Sequence, residues 1–297
     1  MSWVILVLIA VLFWSIMAII QKFTRVTYFE NSLGYLIFIV PTTIFAITLL
    51  LFQPFVFLEG KLAFLALSTG IVLFIGYYFY LESLHKEEVS KVVILFGIAP
   101  IFVLILSRIF LKEILTLNQY IAFILILIGS ILVSFKKIEQ KIKITAGLIF
   151  IVLSNLLFAI QSVLLKYVSS INLTTMMIYR EFGYLISACF LFLISPKVRT
   201  YTKKVVNDLN IKKTALVYSA EIIGMCGMFL SYLAIQKGPI SLISVTESFQ
   251  SVFTLILVII ISVFIPKILK EEIGKKTITI KIISIILMIV GLYLISV

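Results

Sequence analysis

The chain has 297 residues, of which 62% are hydrophobic and only 13% are charged, and its mean hydropathy is +1.24. This composition excludes an ordinary soluble domain, which needs polar side chains to cover its core. A net charge of +12 would suggest a nucleic-acid partner in a soluble protein. Here the lysines cluster between apolar runs, as they do beside a membrane. We therefore predict an integral membrane protein with no nucleic-acid partner.

Ten apolar runs, most of them about twenty residues long, follow one another along the chain, and each could cross the hydrocarbon core as a helix. Helices are expected because lipid-exposed backbone must satisfy its own hydrogen bonds. The first run lacks preceding basic residues and a cleavage site, so we expect a span and not a signal peptide. The predicted fold is all-α, with ten transmembrane helices. The predicted spans are residues 3–21, 32–52, 61–81, 90–110, 118–135, 145–165, 173–194, 214–235, 240–264 and 277–296.

The links between the spans differ strongly in basic residues. The odd-numbered links hold nineteen Lys and Arg residues and the even-numbered links hold five, while Arg180 lies inside a span. Cytoplasmic links carry the excess of Lys and Arg in membrane proteins. This predicts a multi-pass protein of the cell membrane with its odd-numbered links in the cytoplasm and both termini outside.

The sequence repeats weakly at about half its length. Residues 12–16 align with residues 156–160 at an offset of 144 positions. Residues 84–102 align with residues 235–253 at an offset of 151. Five spans fall in each half, and because five is odd, the second half enters the membrane from the opposite side.

This pattern predicts two inverted five-helix repeats, residues 1–137 and residues 145–297. Inverted repeats are the architecture of many secondary transporters, whose substrate site lies near the midplane where the repeats meet. Each repeat ends in an apolar segment that carries a glycine, Gly129 in the first and Gly291 in the second.

Two related segments carry a resemblance to a known family. In residues 84–113 a polar link leads into a segment with Pro100 that closes with Leu111-Lys112-Glu113. The second copy runs from residue 236 to Glu247, and residues 248–251, at the position of Pro100, lack the proline. Its closing acidic residues, Glu271 and Glu272, follow a longer link. With Trp14 and Arg180, these features resemble the EamA-like family of the drug/metabolite transporter superfamily over nearly the whole chain.

The resemblance implies a secondary carrier for a small metabolite, commonly an exporter of amino acids or related solutes, that works by alternating access. A lipid, isoprenoid or drug carrier of the same fold is the alternative. The resemblance also implies cytoplasmic termini, which conflicts with the count of basic residues, and we favour the count. It implies no cofactor. We expect a small-molecule substrate and the lipid bilayer as partners, and we leave a homodimer open.

Charged side chains deep in a span are costly and indicate function. Arg180 and Glu247 fall at similar depth, so an ion pair between them is feasible, either in the substrate site or as a structural salt bridge. Glu181 could serve either purpose. Glu221 has no basic residue level with it in the predicted spans, and low dielectric favours the neutral form of such a carboxyl group. We predict that Glu221 couples transport to protons; the alternative is a neutral, structural Glu bonded to a hydroxyl or amide.

The other candidates are polar and aromatic side chains on spans one, three, six, eight and nine, which line the cavity in similar proteins. Each could equally be a contact between helices. The predicted substrate-binding residues are Trp14, Tyr80, Gln161, Arg180, Tyr232, Glu247 and Gln250. Weaker candidates are Gln21, Tyr77, Asn155, Ser231 and Thr246.

An enzyme or a channel is disfavoured by the motifs that the chain lacks. It has a single His, no metalloprotease or hydrolase signature and no phosphate-binding glycine loop. It also lacks a repeated charge ring or carbonyl filter. The two cysteines, Cys189 and Cys226, lie in apolar runs without metal-like spacing, so we expect packing roles and no metal site.

Overall fold

The computed structural model describes residues 2–29, 32–51, 53–86, 92, 95–134, 145–208, 210–264 and 275–296, and all regular structure in them is helical. The first half contains α1 (Trp3–Tyr28), α2 (Ser32–Phe38) continued by a 3-10 helix (Val40–Leu51), α3 (Gly60–Lys86), α4 (Ala99–Leu106) ending in a π-helical turn (Ser107–Leu111), and α5 (Leu117–Ser134). The second half contains α6 (Ala146–Tyr167), α7 (Leu173–Ile194), α8 (Pro196–Asp208), α9 (Ile211–Lys237), α10 (Ile240–Glu247), α11 (Gln250–Phe264) and α12 (Lys275–Ser296).

In this described part of the chain, eight helices are long and apolar enough to cross a membrane. The all-α membrane fold is thus confirmed. Two shorter apolar helices, Ala99–Leu111 and Thr279–Ile295, coincide with the fourth and tenth predicted spans. The link between the seventh and eighth predicted spans, which we expected to be non-helical, contains a helix. Helix α8 lies between the seventh and eighth spans and packs on α2 and α7 through its buried Val198 and Val205.

Polar caps explain where several spans begin. The side chain of Thr145 accepts a hydrogen bond from the backbone N–H of Leu148, at 3.3 Å, before α6. Asn172 and Asn210 cap α7 and α9 in the same way, at 2.8 and 3.0 Å. Such side chains satisfy N–H groups that lack partners inside the helix.

Contacts between links agree with successive spans running in opposite directions. The Lys61 ammonium, in the second link, lies 5.9 Å from the ring centre of Tyr167, at the sixth. The Lys213 ammonium, at the seventh link, lies 5.3 Å from the ring of Tyr28, at the first. The second and sixth links therefore meet at one end of the bundle, and the first and seventh links meet at the other.

Two helix crossings are related by the sequence offsets of 144 and 151. Helices α1 and α9 pack closely where the indole of Trp14 lies against Gly227, leaving a Cβ there only 2.7 Å from the ring. Helices α3 and α6 pack closely where the ring of Phe158 lies against Gly76. Trp14 corresponds to Phe158 and Gly227 to Gly76, so the two crossings occupy equivalent positions.

The last helices of the two halves also pack in a symmetric way. A Cβ on Gly129 would lie 2.8 Å from the carbonyl oxygen of Ser284 and 2.5 Å from Met288. A Cβ on Gly291 would lie 2.9 Å from the carbonyl oxygen of Ala122 and 2.7 Å from Ile126. Helices α5 and α12 thus approach each other through the two glycines that the sequence singled out.

The fourth and ninth predicted spans are each interrupted at the same relative position. In the ninth span a turn at residues 248–249 separates α10 from α11, and in the fourth a turn at residues 97–98 precedes α4. The N–H of Phe249 donates to Thr246 at 3.0 Å, and the N–H of Ile98 donates to Leu95 at 3.2 Å. At the offset of 151, Ile98 corresponds to Phe249 and Leu95 to Thr246, so the two hydrogen bonds are equivalent in the two halves.

Candidate functional site

Glu221 lies ten residues after the start of α9, near its middle, and is held by donors from two other helices. The Nε2 of Gln21, on α1, donates to its Oε1 at 2.7 Å, and the hydroxyl of Tyr35, on α2, donates to the same oxygen. Gln21 Nε2 also lies 3.3 Å from the hydroxyl of Tyr77, on α3. Three helices, α1, α2 and α9, therefore meet at one carboxyl group, and α3 joins them through Gln21.

In the part of the chain that the structure describes, Glu221 forms no ion pair. Its partners are a hydroxyl and an amide, which is the bonding expected of the structural alternative. The carboxyl group is half-buried and lies close enough to Glu181 to interact electrostatically.

The Arg180 guanidinium pairs with its neighbour Glu181, and both side chains are buried. The ion pair between Arg180 and Glu247, which the sequence left feasible, is therefore not formed. Similar depth did not bring these side chains together, because α7 packs against α3 and the long Arg180 side chain can reach the next residue. The carboxylate of Glu181 and the hydroxyl of Tyr184 lie close enough to interact electrostatically.

Glu247 is bound instead by a hydroxyl on α9. The Oγ of Ser231 donates to its Oε1 at 2.8 Å, and Glu247 is the last residue of α10, directly before the interruption of the ninth span. Glu247 is half-buried, and no ion pair to it is found among the described residues. A second carboxyl group without a basic partner thus lies on the even-link side of Glu221.

Trp14 and Gln250 lie near the interruption that follows Glu247. The indole N–H of Trp14 donates to the carbonyl oxygen of Gly224 at 3.1 Å, which fixes the ring between α1 and α9. The hydroxyl of Ser15 donates to the carbonyl oxygen of Gln250 at 3.2 Å, the first residue after the interruption. Both predicted residues are half-buried near the break.

The remaining predicted residues fall into different surroundings. Tyr232 is buried, and its hydroxyl donates to the carbonyl oxygens of Val168 and Ile171 at 3.4 and 3.3 Å, a structural contact between α9 and the sixth link. Gln161 is buried on α6, and its Nε2 finds no hydrogen-bond partner among the described residues. Tyr80 is half-buried within a group of aromatic rings.

Sequence reasoning missed one polar group at the site and ranked another too low. Tyr35 was not among the predicted site residues, yet it binds Glu221. Asn155 was a weak candidate, and its Nδ2 donates to the carbonyl oxygen of Leu95 at 2.7 Å, at the interruption of the fourth span. Pro100 in that span, which lacks a backbone N–H and so weakens a continuous helix, was the sequence signal that could have pointed to Asn155.

Glu113 links the end of the fourth span to the start of the ninth. Its carboxylate accepts from the backbone N–H groups of Ile240 and Ser241 at 2.9 and 3.1 Å, and from the Ser241 hydroxyl. It therefore caps the N-terminus of α10. This gives a physical role to the closing acidic residue of the first copy; Glu271 and Glu272 of the second lie outside the described residues.

Glu113→Ala should lower the free energy of unfolding by about 2 kcal/mol, because two buried N–H groups lose their acceptor. Thermal unfolding of the purified protein measures this. Glu113→Gln retains one acceptor oxygen and should lose less. Glu59→Ala, at an exposed carboxyl, is the control. Equal melting temperatures for Glu113→Ala and Glu59→Ala would contradict the cap.

The comparisons with known proteins agree with this arrangement. Residues 1–135 match the EamA-like transporter family. Over these residues the chain is similar to that family. Its members are transporters of the drug/metabolite transporter superfamily, so the predicted resemblance is confirmed for the first half. Together with its long apolar helices, this match supports a multi-pass membrane protein.

Two further similarities extend the comparison. An uncharacterised protein of Methanocaldococcus jannaschii is 38% identical over 88 residues, which cover 30% of this chain and 64% of that protein. A crystal structure described without a function matches with a TM-score of 0.72 at 13% identity, covering 99% of this chain and 96% of the other. At that identity the match concerns the fold alone. It extends over both halves of the chain.

Proposed function

We propose that the chain is a secondary active transporter that exports a small metabolite, such as an amino acid, in exchange for protons. The two halves, residues 1–137 and 145–297, are inverted repeats that expose a central site alternately to the two sides of the membrane. The observation that carries this proposal is the pair of interrupted spans at equivalent positions of the two halves.

An interruption in a span frees backbone groups that lipid cannot satisfy, so such breaks are tolerated only inside the protein or along a cavity. In transporters with inverted repeats they form the binding site. Here Asn155, on the first helix of the second half, binds the carbonyl oxygen of Leu95. Ser15, on the first helix of the first half, binds that of Gln250. Each half thus supports the interrupted span of the other.

Proton coupling rests on Glu221, a carboxyl group near the middle of a span with neutral partners from both α1 and α2. The offset of 151 relates Glu221 to Gly70 of the first half. At Gly70 the backbones of α3 and α7 nearly touch, since a Cβ there would lie 1.8 Å from the carbonyl oxygen of Arg180. A titratable side chain therefore stands in the second half where the first half has close backbone packing.

Purified protein in proteoliposomes with a trapped pH-sensitive dye tests the transport function. Amino acids added one at a time to the outside should move protons when the solute is transported. Empty liposomes give the background. If no amino acid or small metabolite moves either protons or itself across the membrane, proton-coupled transport is wrong.

A further inference from the structure

Helix α8 (Pro196–Asp208) is held at the membrane surface by the spans on either side of it. It begins two residues after α7 ends at Ile194, and α9 begins at Ile211, three residues after α8 ends. Both α7 and α9 are long and apolar enough to cross a membrane. Both ends of α8 are therefore fixed at the same side of the bilayer, and its thirteen residues, about 20 Å of helix, run along that surface.

One face of α8 packs on the protein. Val198 and Val205, two turns apart, are buried against α2 and α7. Val205 belongs to the same apolar cluster as Tyr35, whose hydroxyl binds Glu221. The docking of α8 is therefore linked by packing to the helix that holds this carboxyl group.

The side chains beside the two buried valines are exposed, and they are of two kinds. Tyr201 and Val206, which are 39% and 57% exposed, lie on opposite sides of the valines, since each residue turns the helix by about 100°. Further round the helix lie four exposed basic side chains, Lys197, Arg199, Lys203 and Lys204. Apolar side chains flanked by basic ones are typical of helices that lie between lipid headgroups and acyl chains.

The charge around α8 is strongly positive. Residues 195–213 contain six Lys and Arg residues and one acidic residue, Asp208. Neither α2 nor the last two turns of α7, on which α8 packs, carries an acidic side chain. Within the described part of the chain, no ion pair is found for Lys197, Arg199 or Lys203. The phosphate groups of anionic lipids would supply the counter-charge at this level.

We propose that α8 binds the headgroups of anionic phospholipids at the surface where the odd-numbered links lie. Each basic side chain near a negatively charged bilayer strengthens binding by about fivefold. An acidic protein would meet the same charges, but the exposed Tyr201 and Val206 at the membrane surface favour a lipid, whose acyl chains they can contact. This inference goes beyond the transport function and does not depend on the solute carried.

The test is a lipid titration of the full-length protein in detergent micelles. Cys189 and Cys226 are replaced, and an environment-sensitive fluorophore is attached to Val206→Cys. Phosphatidylglycerol is compared with phosphatidylcholine of the same acyl chains and with inorganic phosphate. Phosphatidylglycerol should change the fluorescence at a concentration about tenfold lower than phosphatidylcholine does, and inorganic phosphate should have no effect.

Variants separate the charge of α8 from the general charge of the protein. Lys197→Gln together with Lys203→Gln should raise the phosphatidylglycerol concentration needed by about twenty-five-fold, since two charges are lost. Lys197→Arg together with Lys203→Arg keeps both charges and should retain binding. The matched control is Lys112→Gln together with Lys237→Gln, which removes two exposed lysines from even-numbered links.

Equal responses to the two phospholipids would overturn the proposal, as would an equal response to inorganic phosphate. Equal losses in the Lys197/Lys203 glutamine pair and in the control pair would also overturn it. If the glutamine pair does not fold, as judged by thermal melting without added lipid, the protein with both lysines is titrated at increasing salt. Salt screens exposed charges, so the phosphatidylglycerol concentration needed should rise, and an unchanged concentration would overturn the proposal.

Discussion

Glu221→Gln should abolish accumulation driven by a pH gradient while solute exchange across the membrane continues. Glutamine cannot carry a proton, but its carbonyl oxygen can accept the hydrogen bonds from Gln21 and Tyr35. The substitution therefore removes titration and preserves the contacts among α1, α2 and α9. A gradient of about one pH unit stores about 1.4 kcal/mol per proton and drives about a tenfold accumulation when one proton moves per solute.

The measurement compares two assays on the same proteoliposomes. Uptake of labelled solute under a pH gradient should fall to the level of passive exchange in Glu221→Gln, while exchange against unlabelled solute should persist. Glu59→Gln, at an exposed link, should behave as the wild type in both assays. Undiminished gradient-driven accumulation by Glu221→Gln would assign Glu221 to the structural alternative.

Gly70→Ala should cause the largest loss of stability among single substitutions at helix crossings. A Cβ there would lie 1.8 Å from the carbonyl oxygen of Arg180 and 2.6 Å from the backbone nitrogen of Tyr184. These are backbone atoms, so the clash cannot be relieved by a rotamer change and α3 must move away from α7. Overpacking of this kind lowers the free energy of unfolding by about 1–3 kcal/mol. Because the clashing atoms belong to the backbone of α7, we expect Gly70→Ala to lie at the upper end of that range.

Thermal unfolding in one detergent, together with the yield of monodisperse protein, measures this effect. Gly76→Ala is the matched control on the same helix. Its Cβ would lie 3.2–3.3 Å from side-chain atoms of Leu157 and Phe158, which can shift by a few tenths of an ångström. Equal melting temperatures for the two variants would show that the α3–α7 crossing is looser than described.

The sequence was sufficient to place most spans because hydropathy and capping coincide. The predicted spans 145–165 and 173–194 match α6 and α7 closely, and Thr145 and Asn172 mark their starts. Helix α8 was missed because its four basic residues lower the hydropathy of the segment. Its two buried valines lie seven residues apart on one face and are too few to raise that hydropathy. A polar helix beside a membrane has no hydropathy signal.

The site was only partly accessible from the sequence. Glu221 stood out because a carboxyl group in an apolar run is costly. Its partner Tyr35 did not, because a tyrosine in a span is ordinary and the sequence does not reveal which faces of α2 and α9 meet. Depth along a span also suggested the wrong partner for Arg180, because depth fixes a level in the membrane but not the neighbouring helix.

Alternating movement of the two inverted halves is the central claim, and distances between spin labels on α3 and α9 test it most directly. These helices are equivalent in the two repeats. Cys189 and Cys226 are first replaced so that labels attach only at the chosen sites. One pair of labels is placed at Glu59 and Lys237, at the even-link end. The other pair is placed at Lys86 and Ile211, at the odd-link end, and all four residues are exposed.

Distance distributions are compared at acid and alkaline pH in lipid nanodiscs, with Glu221→Gln as the variant that should no longer respond. The account predicts reciprocal changes: one pair of labels separates as the other approaches. Two distances that stay fixed, or that change in the same direction, would contradict alternating access by these halves.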